Sequence, residues 1–223
     1  MKKRLLSWFM VMALCMTLLP TVALADEETQ SNGKHQHTVG DYITTFTAWT
    51  DELAESQNGT GKTAANSLPS QADYYYLTTD VQLTATWKPV GNTMLCLNGH
   101  SITNKSYYGG ISVGSDVTFT LCDCNGSNKT YHFEKDRYGL WQLDESGSHT
   151  VTGGIITSTG SGYGSGVYVA GGGTFNMYGG TIVGNNGTST SDGHRGGGVY
   201  VLSNNETGDK GTFNMYGGII TGN

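Results

Sequence analysis

Basic residues are scarce in this sequence, and their scarcity excludes one class of partner. Three of the 12 lysines and arginines, at positions 2–4, lie in a segment that we expect to be removed. The mature chain then has nine basic against 18 acidic residues, a formal net charge of −9. Nucleic-acid binding needs clustered lysine and arginine to release counterions. The sparse basic residues therefore exclude a nucleic-acid groove and disfavour anionic membranes as partners.

Long apolar runs are absent after residue 25. Residues 1–25 combine a basic start, an apolar run from Leu5 to Leu19 and the small-residue pattern Ala23-Leu24-Ala25. This order is typical of a bacterial secretory signal that is cleaved near Ala25. No later stretch approaches the roughly 18 apolar residues that a membrane span needs. We therefore expect a secreted or cell-surface protein whose mature chain is not inserted in the membrane.

Charged residues make up only 13% of the chain, whereas glycine contributes 34 residues, a bias toward turns and β structure. Short alternating segments at 74–87, 93–102 and 117–124 are separated by Gly, Asn or Ser, which is the pattern of short strands. Segment 164–186 recurs at 196–223, and a degenerate earlier copy lies at 149–160. The sequence therefore predicts an all-β repeat fold.

Alternation within the repeats predicts which side chains face the core. The inward set is Val167, Val169, Phe175, Met177 and Ile182 in one copy and Val199, Val201, Phe213, Met215 and Ile220 in the next. Strands this short cannot bury such a face alone, but stacking each repeat on the previous one buries it. Residues 70–223 are therefore predicted to form a parallel β-helix, a solenoid, in preference to a propeller or sandwich.

The segments before and after these repeats are less regular. Residues 26–45 are polar and aperiodic, which predicts a flexible lead-in. In the region 46–69, the spacing of Phe46, Trp49 and Leu53 predicts a short helix that caps the repeats, with a loop as the alternative. The sequence stops after a repeat, without a polar cap, so we expect the chain to be the truncated start of a longer protein.

The segments 74–87, 95–102 and 120–126 and the two GGTFNMYGG-like repeats resemble the pectate-lyase-like right-handed parallel β-helix superfamily. More narrowly, they look like the glycine-rich repeat surface proteins, adhesins, of anaerobic gut-type bacteria. The resemblance covers residues 70–223. It implies a right-handed parallel β-helix and a role in adhesion.

Enzymes of this fold need carboxylates that are grouped on one strand face or paired across the scissile bond. Here the aspartates lie on separate segments, and the mature chain has only two arginines, Arg137 and Arg195. The one suggestive string is Asp192-Gly193-His194-Arg195. No catalytic set is therefore predicted, and a partial or degenerate polysaccharide lyase or hydrolase is the alternative to a binding protein.

Three cysteines remain in the mature chain, Cys96, Cys122 and Cys124. Cys96 and Cys122 are separated by about one repeat, which predicts a disulfide from Cys96 to Cys122 or Cys124, with buried thiols as the alternative. His35-x-His37 and Cys122-x-Cys124 suggest a metal site, but the usual Cys-x-x-Cys spacing is absent and the histidines lie in the lead-in. We therefore predict no metal and no cofactor.

The outward face of the repeats is the remaining candidate for function. The residues that recur there are Tyr168 and Tyr200, Tyr178 and Tyr216, and Asn176 and Asn214. Two exposed tyrosine ladders with neighbouring amides can stack on sugar rings and hydrogen-bond their hydroxyls. The alternative is that they only stabilise the stack of repeats. The sequence thus predicts adhesion or glycan contact, or a structural spacer, with host or cell-wall glycans as partners.

Overall fold

The structure is a computed structural model that describes residues 35–106, 109–126, 129–137, 139–159, 164–187, 196–204 and 208–223. In these ranges the fold is all-β apart from one short helix, as the sequence predicted. No helix within them is long and apolar enough to cross a bilayer. The predicted signal at 1–25 lies outside the described residues.

The strands are short, as the glycine spacing predicted, and most have three to five residues. In chain order they are β1 (His35–Val39), β2 (Tyr42–Trp49), β3 (Tyr74–Leu77), β4 (Val81–Leu83), β5 (Asn92–Cys96), β6 (Ser101–Asn104), β7 (Ile111–Val113), β8 (Thr118–Cys122), β9 (Thr130–Lys135), β10 (Trp141–Leu143), β11 (His149–Thr152), β12 (Ile155–Ser158), β13 (Val167–Val169), β14 (Thr174–Met177), β15 (Thr181–Val183), β16 (Val199–Val201), β17 (Thr212–Met215) and β18 (Ile219–Thr221). The helix α1 (Asp51–Asn58) lies between β2 and β3.

Three sheets pair equivalent strands of successive repeats. The first has the order β1-β2-β3-β5-β8-β14-β17, the second β18-β15-β12-β6-β4 and the third β16-β13-β7. All their pairs are parallel except β1–β2. From β5 onward the chain visits the three sheets in the same order in each repeat. The sequence repeat is therefore also a repeat of strand pairing.

Side chains from all three sheets meet in one hydrophobic core. The predicted inward residues Val167, Val169, Phe175, Met177 and Ile182 are all fully buried there. Phe175 stacks between Phe119 and Phe213, with ring centroids 5.5 and 5.2 Å away. In the next copy, Val199 and Phe213 are partly buried, whereas Val201, Met215 and Ile220 are exposed because their strands are the outermost ones. The predicted alternation is confirmed for the copy at 164–186.

Glycines with positive φ turn the chain between strands. Gly153, Gly180 and Gly218 have φ of 88°, 81° and 87°, a conformation that favours glycine. A Cβ on the neighbouring Gly154 would lie 2.3 Å from Cβ of Leu97. The Gly-Gly pairs thus provide both the backbone conformation and the close approach between repeats.

One part of the predicted repeat region follows a different arrangement. The strands β9, β10 and β11 form an antiparallel sheet with the order β10-β9-β11, inserted between β8 and β12. Its own small core includes Tyr131 and Phe133, which pack against Ile155 and Val183 of the second sheet. The prediction of continuous repeats from 70 to 223 was wrong here because strand alternation alone does not distinguish a hairpin from a repeat.

The N-terminal predictions also need correction. From His35 on, the predicted flexible lead-in forms the hairpin β1–β2, which turns at Gly40 with φ 62°. Phe46 and Trp49 belong to β2, and the helix begins only after Thr50, whose Oγ1 accepts a hydrogen bond from the backbone N–H of Leu53 at 3.4 Å. Threonines favour the strand and the Thr50 cap favours a later helix start, which the apolar spacing did not reveal.

The phenylalanine stack gives the first testable prediction. Phe175→Ala should lower the free energy of unfolding by about 3–5 kcal/mol, because it removes a fully buried ring and leaves a cavity. Phe213→Ala is the matched control, since its ring is stacked in the same row but only partly buried, and it should cost roughly half as much. Urea denaturation followed by circular dichroism measures both, and equal losses would contradict the core assignment.

Candidate functional site

The hairpin β1–β2 lies over the outer face of the first sheet. β2 joins this sheet only where Thr47–Trp49 pair with Tyr75–Leu77, so the rest of the hairpin folds back across β3, β5 and β8. Alternation along β1 turns His35, His37 and Val39 to one side. Val39 and Phe46 are buried against side chains that point away from the main core. The hairpin therefore forms a third, small hydrophobic cluster outside the sheet.

Four metal-ligating side chains converge under this hairpin. The ligand atoms of His35, His37, Cys96 and Cys124 all lie within 4.8 Å of one another. Sγ of Cys124 lies 3.1 Å from Nε2 of His35 and 3.3 Å from Sγ of Cys96. Cys96 is fully buried and His37 is 9% exposed. Among the described residues this is the only such group of three or more His, Cys, Asp or Glu side chains.

Aromatic contacts hold both imidazoles in place. The ring of His35 is stacked on Tyr76, with centroids 4.3 Å apart, and His37 is stacked on Phe46 at 4.4 Å. Cys122, on the same outer face, has its Sγ 3.9 Å from Nε2 of His37. The two histidines therefore face the cysteines from packed positions. The sequence had instead suggested that they lie in a flexible lead-in.

In the described part of the chain, the thiols of Cys96 and Cys122 are buried and that of Cys124 is half-buried. Burial raises the pKa of Cys96 well above its usual range. The hydrogen bond with Cys96, followed by burial, raises the pKa of Cys124, while its contact with His35 acts in the opposite direction. Both shifts favour the protonated thiol over the thiolate at Cys96 and Cys124.

The predicted disulfide is not formed in the structure. The 3.3 Å between Sγ of Cys96 and Sγ of Cys124 exceeds the S–S bond length of about 2.05 Å. Cys96 and Cys122 do lie opposite each other on paired strands, as their spacing predicted. This register places Cys124, two residues further on, beside Cys96.

The convergence of the two histidines with Cys96 and Cys124 was not predicted, although His35-x-His37 and Cys122-x-Cys124 had each suggested metal ligands. The alternation in His35-x-His37 places both side chains on the same face of a strand. It was assigned to a lead-in because nothing local shows that residues 35–39 pair with another strand.

The predicted tyrosine ladders are present as pairs on different sheets. Tyr178 and Tyr216 stack with centroids 4.6 Å apart and planes inclined by 17°. Tyr168 and Tyr200, on the third sheet, are tilted by 41° at 5.8 Å. Tyr216 is 64% exposed and the other three are half-buried.

The amides also form a ladder, beside the first tyrosine pair. Nδ2 of Asn214 donates a hydrogen bond to Oδ1 of Asn176 at 2.9 Å. Nδ2 of Asn176 in turn donates to Oγ1 of Thr120 at 3.5 Å. Polar groups of three successive repeats are thus aligned along one sheet.

A cleft of about 560 Å³ separates the tip of the hairpin from this ladder. Tyr42 and Ile43 line it on the hairpin side and are 76% and 78% exposed, and Asn176 and Tyr178 line it on the sheet side. No charged side chain is found among the described residues of its lining. Tyr178, which is stacked on Tyr216, therefore borders an uncharged concave surface.

The carboxylate of Asp123 links two repeats. Asp123 accepts hydrogen bonds from the backbone N–H of Gly99 and Gly154, both at 2.7 Å, and so joins two repeats. The string Asp192-Gly193-His194-Arg195 lies outside the described residues.

No family model, curated protein or solved structure matches this chain.

Asp80 joins the inserted sheet to the main stack of strands. Its carboxylate accepts hydrogen bonds from the backbone N–H of Ser101 at 2.8 Å and from the hydroxyl of Tyr131 at 3.0 Å, and it forms an ion pair with Lys129. Burial alone would raise the pKa of Asp80, but its polar contacts with His100, Lys129 and Ser101 together lower it far below its usual value.

This lowered pKa predicts a loss of stability in acid. A carboxylate with a depressed folded-state pKa stabilises the fold above its unfolded pKa of about 3.9, and this contribution is lost as the pH falls below that value. Asp80→Asn should lower stability at pH 7 by about 1–2 kcal/mol, a modest figure because the side chain is half exposed. It should also flatten the decline between about pH 5 and pH 2.

Urea denaturation at several pH values measures this effect. Glu145→Gln, at an exposed turn position, is the control and should leave the pH profile unchanged. A profile for Asp80→Asn that parallels the unmutated protein would contradict the role of Asp80.

Proposed function

We propose that this chain is an exported bacterial surface or secreted protein that contacts neutral glycans through the cleft beside Tyr178. Its repeats would form a right-handed parallel β-helix that presents this site at a distance from its attachment point. The signal-like segment at 1–25 supports export. The observation that carries the proposal is the stacked pair Tyr178 and Tyr216 leading into an uncharged cleft.

The pairing of strands supports the β-helix. Tyr168 lies opposite Ser112 and Tyr200, Asn176 opposite Thr120 and Asn214, all in parallel register. The chain passes through three sheets in a fixed order, with glycine corners between consecutive strands. This order matches the stacking expected of a solenoid. The sequence likeness to the pectate-lyase-like superfamily points to the same architecture.

The chemistry of the cleft favours a sugar over other small ligands. Aromatic faces bind the apolar side of a pyranose ring, and amides and hydroxyls hydrogen-bond its edge. The volume of about 560 Å³ falls in the range of small-molecule sites. Because no charged residue lines the described cleft and the mature chain is acidic, a neutral glycan fits better than a uronate or sulfated one.

Tyr178→Ala combined with Asn176→Ala should weaken binding of the preferred neutral glycan by about tenfold or more, a loss of about 1.4 kcal/mol. The substitutions remove the stacking face and the amide next to the cleft. A glycan array identifies the ligand, and isothermal titration calorimetry measures the change in affinity.

The control is Tyr168→Ala with Tyr200→Ala, which truncates the equivalent pair on a sheet that does not line the cleft. This variant should bind as the unmutated protein does. Equal weakening by both variants would contradict the site, and the absence of any glycan binding by the unmutated protein would leave the role of a spacer in its place.

A further inference from the structure

We propose that His35, His37, Cys96 and Cys124 bind one zinc ion and thereby fasten the N-terminal hairpin to the first sheet. The site would be structural, with the two thiolates and two imidazoles filling all four positions. It is independent of the glycan proposal, because no glycan is needed to form or detect it.

The positions of the ligand atoms fit a single small ion. With Zn–S of about 2.3 Å and Zn–N of about 2.0 Å, ligand atoms of a tetrahedral site lie roughly 3.3–3.8 Å apart. The contact of Cys124 with Cys96 is 3.3 Å and that with His35 is 3.1 Å, and no pair of ligand atoms exceeds 4.8 Å. Small rotations of side chains therefore suffice to close the site around an ion.

The types of ligand select zinc among the common metals. Calcium and magnesium take oxygen ligands, whereas two sulfurs and two nitrogens in tetrahedral arrangement suit zinc. Two thiolates also balance the double positive charge, so the occupied site is neutral. Neutrality matters because Cys96 is fully buried and His37 nearly so, and an unbalanced charge there is costly.

The surroundings keep the ligands in position. His35 and His37 are stacked on Tyr76 and Phe46, which restricts both rings before any ion binds. On the other side, Cys96 belongs to β5, whose pairing with β8 places Cys124 just beyond the end of that strand. Because the ligands come from the hairpin and from two strands of the sheet, an ion would join segments about 89 residues apart in sequence.

A disulfide between Cys96 and Cys124 is the competing fate of the two thiols. It would use both sulfurs but would not explain why the two histidines converge on them. Zinc accounts for all four side chains, and for this reason we favour it.

The experiment measures zinc in the purified, reduced chain. Inductively coupled plasma mass spectrometry should find one zinc per chain after dialysis. Replacement by Co(II) should give the ligand-field bands of tetrahedral coordination and a thiolate-to-cobalt charge-transfer band. Limited proteolysis should show that a chelator accelerates cleavage within residues 35–49 while the repeats remain protected.

The variants separate ligands from neighbours. His35→Gln and Cys124→Ser, both at half-buried positions, should each weaken zinc binding at least about tenfold and abolish the effect of the chelator on proteolysis. Cys122→Ser is the matched control, because Cys122 is a buried thiol near His37 that lies outside the group of four. It should retain one zinc per chain with an unchanged cobalt spectrum.

Several outcomes would overturn the proposal. These are a folded, reduced chain that binds no zinc, a cobalt spectrum without the thiolate band, and a loss of zinc in Cys122→Ser as large as in Cys124→Ser. A Cys96–Cys124 disulfide found by peptide mapping in protein secreted into zinc-containing medium would assign the thiols to a covalent bond instead. Circular dichroism of each variant confirms that a loss of zinc is not a loss of fold.

Discussion

Parallel pairing in register is the constraint on which the rest of this structure depends. Backbone hydrogen bonds between successive repeats place each residue beside its counterpart, so Phe175 meets Phe119 and Phe213, and Asn176 meets Asn214. Because the side-chain period of a strand is two, a slip of one residue would turn every buried ring outward. The core, the ladders and the position of Cys96 opposite Cys122 all follow from the same register.

The hairpin β1–β2 adds what the repeats alone do not have. It covers apolar side chains on the outer face of the first sheet, including Tyr76 and Met94, and it contributes the two histidines of the cluster. The same hairpin forms one wall of the cleft beside Tyr178. A short segment that precedes the repeats thus supplies half of each proposed site.

Local periodicity explains which features could be predicted from the sequence. The alternation around Val167, Phe175 and Met177 identifies buried residues because inward and outward side chains alternate along each strand of a repeat. His35 has no such pattern, since its contact with Cys124 spans 89 positions and depends on how the hairpin folds over the sheet. The inserted sheet at 130–152 was missed for a related reason, because its strands alternate like those of a repeat but pair antiparallel.

The inserted sheet shows where this architecture tolerates added chain. Between β8 and β12 more than thirty residues intervene, yet Ile155 still pairs with Ser101 and Thr181 on either side. A second added loop follows β16, where Ser203 bridges to Lys210 before β17 resumes the register. New binding loops can therefore be inserted between these strands, by evolution or by protein engineering, while the stacked strands remain unchanged.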